Sequence, residues 1–115
     1  MNLQERTEQD ALIIEIEGEA DLSSVPLFQS LMREKMKEGN QCLIIDFSKV
    51  TFVNTPVWAV VVEYYQHALK ANTEFRLAGL RDRVEASFNI VRLGDLIQHF
   101  PTVEEALASG GSASS

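Results

Sequence analysis

The sequence predicts an α/β domain built on a mixed β-sheet with flanking helices, and three observations carry that prediction. Apolar, strand-like runs alternate with segments whose apolar residues recur at helical spacing. The first two runs are parted only by a short polar turn, Glu8-Gln9-Asp10, so the sheet opens on an antiparallel hairpin. The later runs are parted by helices and so enter the sheet in parallel. A chain of 115 residues suits one such domain with one core.

Each element follows from local signals. In Ala11 to Gly18, Leu12, Ile14 and Ile16 alternate with Ile13, Glu15 and Glu17, the pattern of a strand with one wetter face. Leu3 to Thr7 is its shorter hairpin partner. Asp21-Leu22-Ser23-Ser24-Val25-Pro26 opens the first helix, with capping oxygens before a proline in the first turn. Leu27, Phe28, Leu31, Met32 and Met36 form its expected buried stripe, and Gly39 ends it. Cys42 to Phe47 is apolar nearly throughout, as a strand covered on both faces would be, and runs into a polar turn.

The second helix spans Pro56 to Ala71 and a strand spans Thr73 to Ala78. A third helix runs from Arg81 to about Arg92, with Val84, Phe88 and Val91 at helical spacing. Leu96 to Phe100 suits a short edge strand. Thr102-Val103-Glu104-Glu105 has capping-box spacing and starts a last helix to about Ala108. The domain therefore covers residues 1–108, and the Ser/Gly-rich residues 109–115 form a flexible tail.

Composition narrows the function. A net charge of −7 argues against a general binder of nucleic acid or anionic membrane. No apolar run is long enough for membrane insertion. The N-terminus lacks the basic-then-apolar pattern of a signal peptide, which suits a cytoplasmic protein. Cys42, the single cysteine, reads as a buried, inert thiol. His67 and His99 have no metal-ligand spacing, so neither a metal nor a cofactor is expected. Asp46 at a strand end resembles the acceptor of a receiver domain. The acidic pair such a site needs is replaced by Glu17-Gly18-Glu19, and the hairpin does not suit that fold. Asp46 reads as a carboxylate that accepts backbone hydrogen bonds around Ser48.

The most informative stretch is residues 46–62. Phe52-Val53 leads to Asn54-Thr55-Pro56, which opens a long apolar helix. A hydroxyl at a helix mouth can cap the helix or carry a phosphate that the helix dipole favours, and Thr55 admits both readings.

The element order and three local motifs resemble the STAS domain, the fold of bacterial anti-sigma-factor antagonists and of the cytoplasmic tails of sulfate transporters. Gly18-Glu19-Ala20-Asp21 is similar to the family's Gly-Glu-Leu-Asp. Leu43 to Val53 is similar to its apolar strand and Asp-Leu-Ser turn. Val103-Glu104-Glu105-Ala106-Leu107 is similar to its last helix. The resemblance covers about residues 3–108. It implies a non-enzymatic partner switch. A family member binds an anti-sigma kinase while its hydroxyl is free and releases it when that residue is phosphorylated.

The resemblance places Thr55 at the phosphoacceptor, where threonine also occurs in stressosome-type members. Asp21, Ser23, Asn54, Pro56, Val57 and Tyr64 then fall on the partner-binding surface. The family's Asp-Ser-Ser-Gly reads Asn54-Thr55-Pro56-Val57 here. Asn54 removes a carboxylate beside the acceptor. Pro56 deletes a backbone N–H that would help hold a phosphate. Val57 obstructs any close approach that glycine permits.

The second helix offers two stripes. Trp58, Val61, Val62, Tyr65 and Leu69 are expected to face the sheet. Val57, Val60, Tyr64 and Ala68 run beside them. They are either part of one wide buried face or an exposed contact patch beside Thr55. The implied partner is a serine/threonine-kinase-type anti-sigma factor. A rival is a constitutive subunit or scaffold of a larger complex, phospholipid-transport-like or stressosome-like, with no phosphorylation cycle. A degenerate member that binds a small ligand is a third reading.

Overall fold

The structure of the protein, a computed structural model, describes residues 1–113, with side chains as far as Ser109. β1 (Asn2–Glu8) and β2 (Ala11–Ala20) form the antiparallel hairpin. Gln9 and Asp10 turn it, at φ 51° and 67°. Positive φ at both central residues matches the twist of the flanking strands. β3 (Cys42–Val53), β4 (Glu74–Ala78) and β5 (Gln98–Phe100) are parallel to β2, and the sheet order is β1-β2-β3-β4-β5. The helices are α1 (Val25–Glu38), α2 (Thr55–Ala71), α3 (Asp82–Ile90) and α4 (Val103–Ala113).

Strand alternation sorts the core onto two faces. Ile14, Ile16, Leu43 and Ile45 point to a cluster with Phe28, Met32, Trp58, Val61 and Phe88 of α1, α2 and α3. Ile13 and Ile44 point the other way, to Val103 and Ala106 of α4. Covering on both faces is what the nearly continuous apolar run from Leu43 to Phe47, broken only by Asp46, requires.

The structure corrects several expectations. β3 does not stop at Phe47 but continues to Val53. While β2 advances from Glu15 to Glu17, β3 advances from Asp46 to Lys49, and a second shift follows between Gly18 and Glu19. The polar residues read as a turn are bulges, which keep the strand paired while bending it. Asp46 Oδ1 accepts the Ser48 N–H at 2.9 Å, as the sequence suggested.

On α1 the buried positions are Phe28, Met32 and Lys35, whereas Leu27 is 55% exposed. On α2 the buried face is Val57, Trp58, Val60, Val61, Tyr64 and Ala68, and Leu69 is 63% exposed. The stripe expected against the sheet is thus rotated toward the wide-face reading. α4 runs past Ala108 into the segment expected as a tail, and residues 114–115 lie outside the described residues.

Candidate functional site

The C-terminal end of the sheet brings two helix mouths together. The Asn54 N–H donates to Ala20 O at 2.8 Å, joining the end of β3 to the end of β2. The 3-10 turn Leu22–Ser24 follows Ala20 and packs against α2. Asp21, Ser23, Asn54, Thr55 and Pro56 therefore lie near one another at this end of the sheet.

Thr55 is not the helix cap. Asn54 holds that position, with φ −78° and ψ 146°, and Thr55 is the first helical residue. The Asn54 side chain makes no cap hydrogen bond either. The backbone pairing to Ala20 sets the loop, so the exposed Thr55 hydroxyl is left without the capping task. Pro56 is exposed beside it and carries no N–H. The Val57 N–H is taken by Asn54 O at 2.9 Å.

Val57 and Tyr64 do not belong to this surface. Val57 is 0% exposed and Tyr64 1%. Their side chains point into the core because α2 packs against the sheet on one side and against α1, its neighbour on the same face, on another, and so needs a wide apolar face. Burial also pushes the Tyr64 hydroxyl up to about 12.

Asp21 organises the neighbouring mouth. Its Oδ1 accepts from Ser23 Oγ at 2.6 Å, from Ser24 Oγ at 3.0 Å and from the Ser24 N–H at 3.2 Å. These bonds, the one from Ser23 first, hold its carboxyl below the usual range. Ser23 is thus engaged in the cap as well as exposed.

Sequence reasoning missed the apolar part of the surface. Leu22, between Asp21 and Ser23, is 63% exposed, and Leu27 stands exposed one turn into α1. The signal was present: Phe28, Met32 and Lys35 keep the spacing of the buried face, and Leu27 falls outside it. Arg83 of α3 lies over the Phe52 ring, 5.4 Å from its centroid, at the same end of the sheet.

Cys42 is half-buried, its thiol pushed up by burial, with Arg76 Nη1 3.0 Å from its sulfur. Among the described residues, no group of three His, Cys, Asp or Glu side chains is placed to hold a metal ion. Among the same residues, no helix is long and apolar enough to cross a membrane.

Among curated proteins none matches the chain in sequence. Among solved structures, an anti-sigma factor antagonist from Mycobacterium paratuberculosis superposes with a TM-score of 0.87 at 18% identity, over 94% of this chain and 92% of that one. The RsbS protein of Moorella thermoacetica superposes at 0.82 with 19% identity, over 99% and 98% of the two chains. The Bacillus cell-fate determinant SpoIIAA in its phosphorylated form superposes at 0.73 with 17% identity, over 95% and 99%. At these identities the likeness shows the fold that the chain shares with anti-sigma-factor antagonists. The family model for the STAS domain matches residues 2–106, nearly the whole described chain, and the protein belongs to that family.

Proposed function

We propose that this STAS domain is a non-enzymatic regulator that binds a protein partner through the surface around Thr55. The partner is an anti-sigma factor of the serine/threonine-kinase type, and phosphorylation of Thr55 controls its release. The observation that carries this reading is the Thr55 side chain itself. It is exposed, stands at the first helical position and is not the cap of its helix. A hydroxyl with no structural duty at a helix mouth is open to a kinase, and a phosphate there has the helix dipole in its favour. Asp21, Ser23, Asn54 and Pro56 surround it, and Leu22 supplies exposed apolar area for contact.

A second reading is favoured by one specific feature. Pro56 has no N–H and the Val57 N–H is already bonded, so a phosphate on Thr55 finds few backbone donors. That suits a constitutive subunit of a larger assembly, with no phosphorylation cycle.

The experiment is phosphosite mapping of the protein from its native cells, followed by binding of the co-purifying partner to wild type, Thr55→Ala and Thr55→Glu. A switch predicts phosphate on Thr55 and at least about tenfold weaker binding by Thr55→Glu, the size of a desolvated charge in an interface. An unmodified Thr55 and equal binding by all three proteins would establish the constitutive reading instead.

A further inference from the structure

A second site lies on the other face of the sheet, away from the α2 side. Asp46 follows Ile44 at strand spacing and so points to the α4 side. There a cavity of about 320 Å³ opens beside the mid-strand bulge of β3 at Asp46 and Ser48, just past the end of β4 and beside the start of α4.

The lining carries charge of both signs. Asp46 is only 5% exposed and lines the cavity. Its Oδ1 accepts the Ser48 N–H, and among the described residues its other oxygen takes no hydrogen bond. Arg81 stands on one side, with Nη2 donating to Ser48 O at 2.8 Å, which fixes the guanidinium over the bulge. Arg6 stands on another, its Nε bonded to Glu8 at 2.7 Å and its Nη1 3.8 Å from Glu15. Val103 and Glu104 begin α4, where first-turn N–H groups have no partner within the helix. Thr102 Oγ1 satisfies only the Glu105 N–H, at 3.1 Å.

We propose that this cavity binds a small zwitterion of the α-amino acid class. Its carboxylate meets Arg81, Arg6 and the open N–H groups of α4, and its ammonium meets the free oxygen of Asp46. The balance of charge selects this class. A bare anion would face Asp46 and Glu104, and a bare cation would face Arg6 and Arg81. A molecule with both charges a few ångströms apart satisfies both sets. The volume is at the small end of ligand cavities, which suits a ligand of this size.

The test is a ¹H–¹⁵N NMR titration of the whole chain with single L-amino acids, with inorganic phosphate and methylammonium as probes of one sign. The expected result is saturable shifts at the Ser48, Arg81, Val103 and Glu104 amides with at least one amino acid. Asp46→Asn and Arg81→Gln should each weaken that binding about tenfold or more, as loss of a charge-assisted hydrogen bond does. Arg81 is exposed, so its variant decides the matter should Asp46→Asn disturb the bulge. No saturable shift with any amino acid would overturn the proposal. So would equal shifts with phosphate or methylammonium alone, or binding unchanged in Arg81→Gln.

Discussion

The Trp58 indole N–H donates to Ser87 Oγ at 2.8 Å and ties the first turns of α2 to α3. The Trp58 ring lies between Phe47 and Phe88, with both centroids 5.4 Å away. Removing the acceptor would leave a buried N–H unpaired. Ser87→Ala should therefore destabilise the fold by about 1–3 kcal/mol. Urea unfolding followed by Trp58 emission measures this directly, because Trp58 is the chain's single tryptophan.

Gly79 is required by its neighbour as well as by its backbone. It sits at φ 75°, and a Cβ there would lie 2.7 Å from Ser48 N and 2.9 Å from Ser48 Cα. Backbone at a bulge cannot retreat as a flexible side chain would. Gly79→Ala should cost about 2 kcal/mol or more, through strain at positive φ added to the clash. A clearly lowered melting temperature is the expected reading, and an unchanged one would mean that the bulge moves freely.

Much of this fold was legible in the sequence, and the exceptions share a cause. Element order, the hairpin and the mixed sheet follow from periodicity, which local residues set. The extension of β3 to Val53 does not, because Ser48-Lys49-Val50-Thr51 has the composition of a turn and becomes strand only by bulged pairing with β2. The rotation of α2 likewise depends on α1 packing beside it as well as on the sheet, which leaves Val57 and Tyr64 buried and Leu69 exposed. For the candidate site, motif spacing named Asp21, Ser23, Asn54 and Thr55, and the fold brings these four to one end of the sheet. That Asn54 and not Thr55 takes the cap position was not legible, since it goes with a backbone bond from Asn54 to the distant Ala20.

Asp21 gives the fold a dependence on acid. Its folded-state pKa is depressed by the Ser23 and Ser24 bonds. Its contribution is therefore complete above the unfolded carboxyl value, near 3.9, and is lost as pH falls through the lower folded value. Asp21→Asn should remove this part of the acid-side slope. Melting temperatures of wild type and variant, measured from pH 6 to pH 2, should converge at the acid end. Parallel curves would show that Asp21 is not a linked group.

Lys35 is buried at 4% exposure and bridges Glu5 of β1, at 2.7 Å, to Glu38, at 3.1 Å. Burial alone would lower its pKa; the bonds to Glu5 and Glu38 outweigh it and raise the value. A raised cation stabilises fully below the unfolded value near 10.4 and loses that contribution as pH rises through the folded one. Both partners stay in reach of water, so removing the ammonium strands no buried carboxylate. Lys35→Met, which keeps the apolar stem, should stay within about 1 kcal/mol of wild type, and Lys35→Ala should cost about 2 kcal/mol more by lost packing. Chemical unfolding at neutral pH separates the two, and equal losses would assign the stability to the ion pairs instead.

The partner surface and the core beneath it can be separated by mutation. Leu22 and Leu27 are exposed, so Leu22→Asp and Leu27→Asp should leave stability within about 0.5 kcal/mol of wild type. If these side chains contact the partner, each variant loses binding while keeping its fold. Val57 is fully buried, so Val57→Ala should cost about 2 kcal/mol through the cavity it leaves, with partner affinity unchanged at temperatures where the variant is folded. Affinity and melting temperature measured on the same preparations give the answer. Binding that survives both aspartates would move the contact surface off the Leu22–Leu27 rim and leave only the polar residues around Thr55.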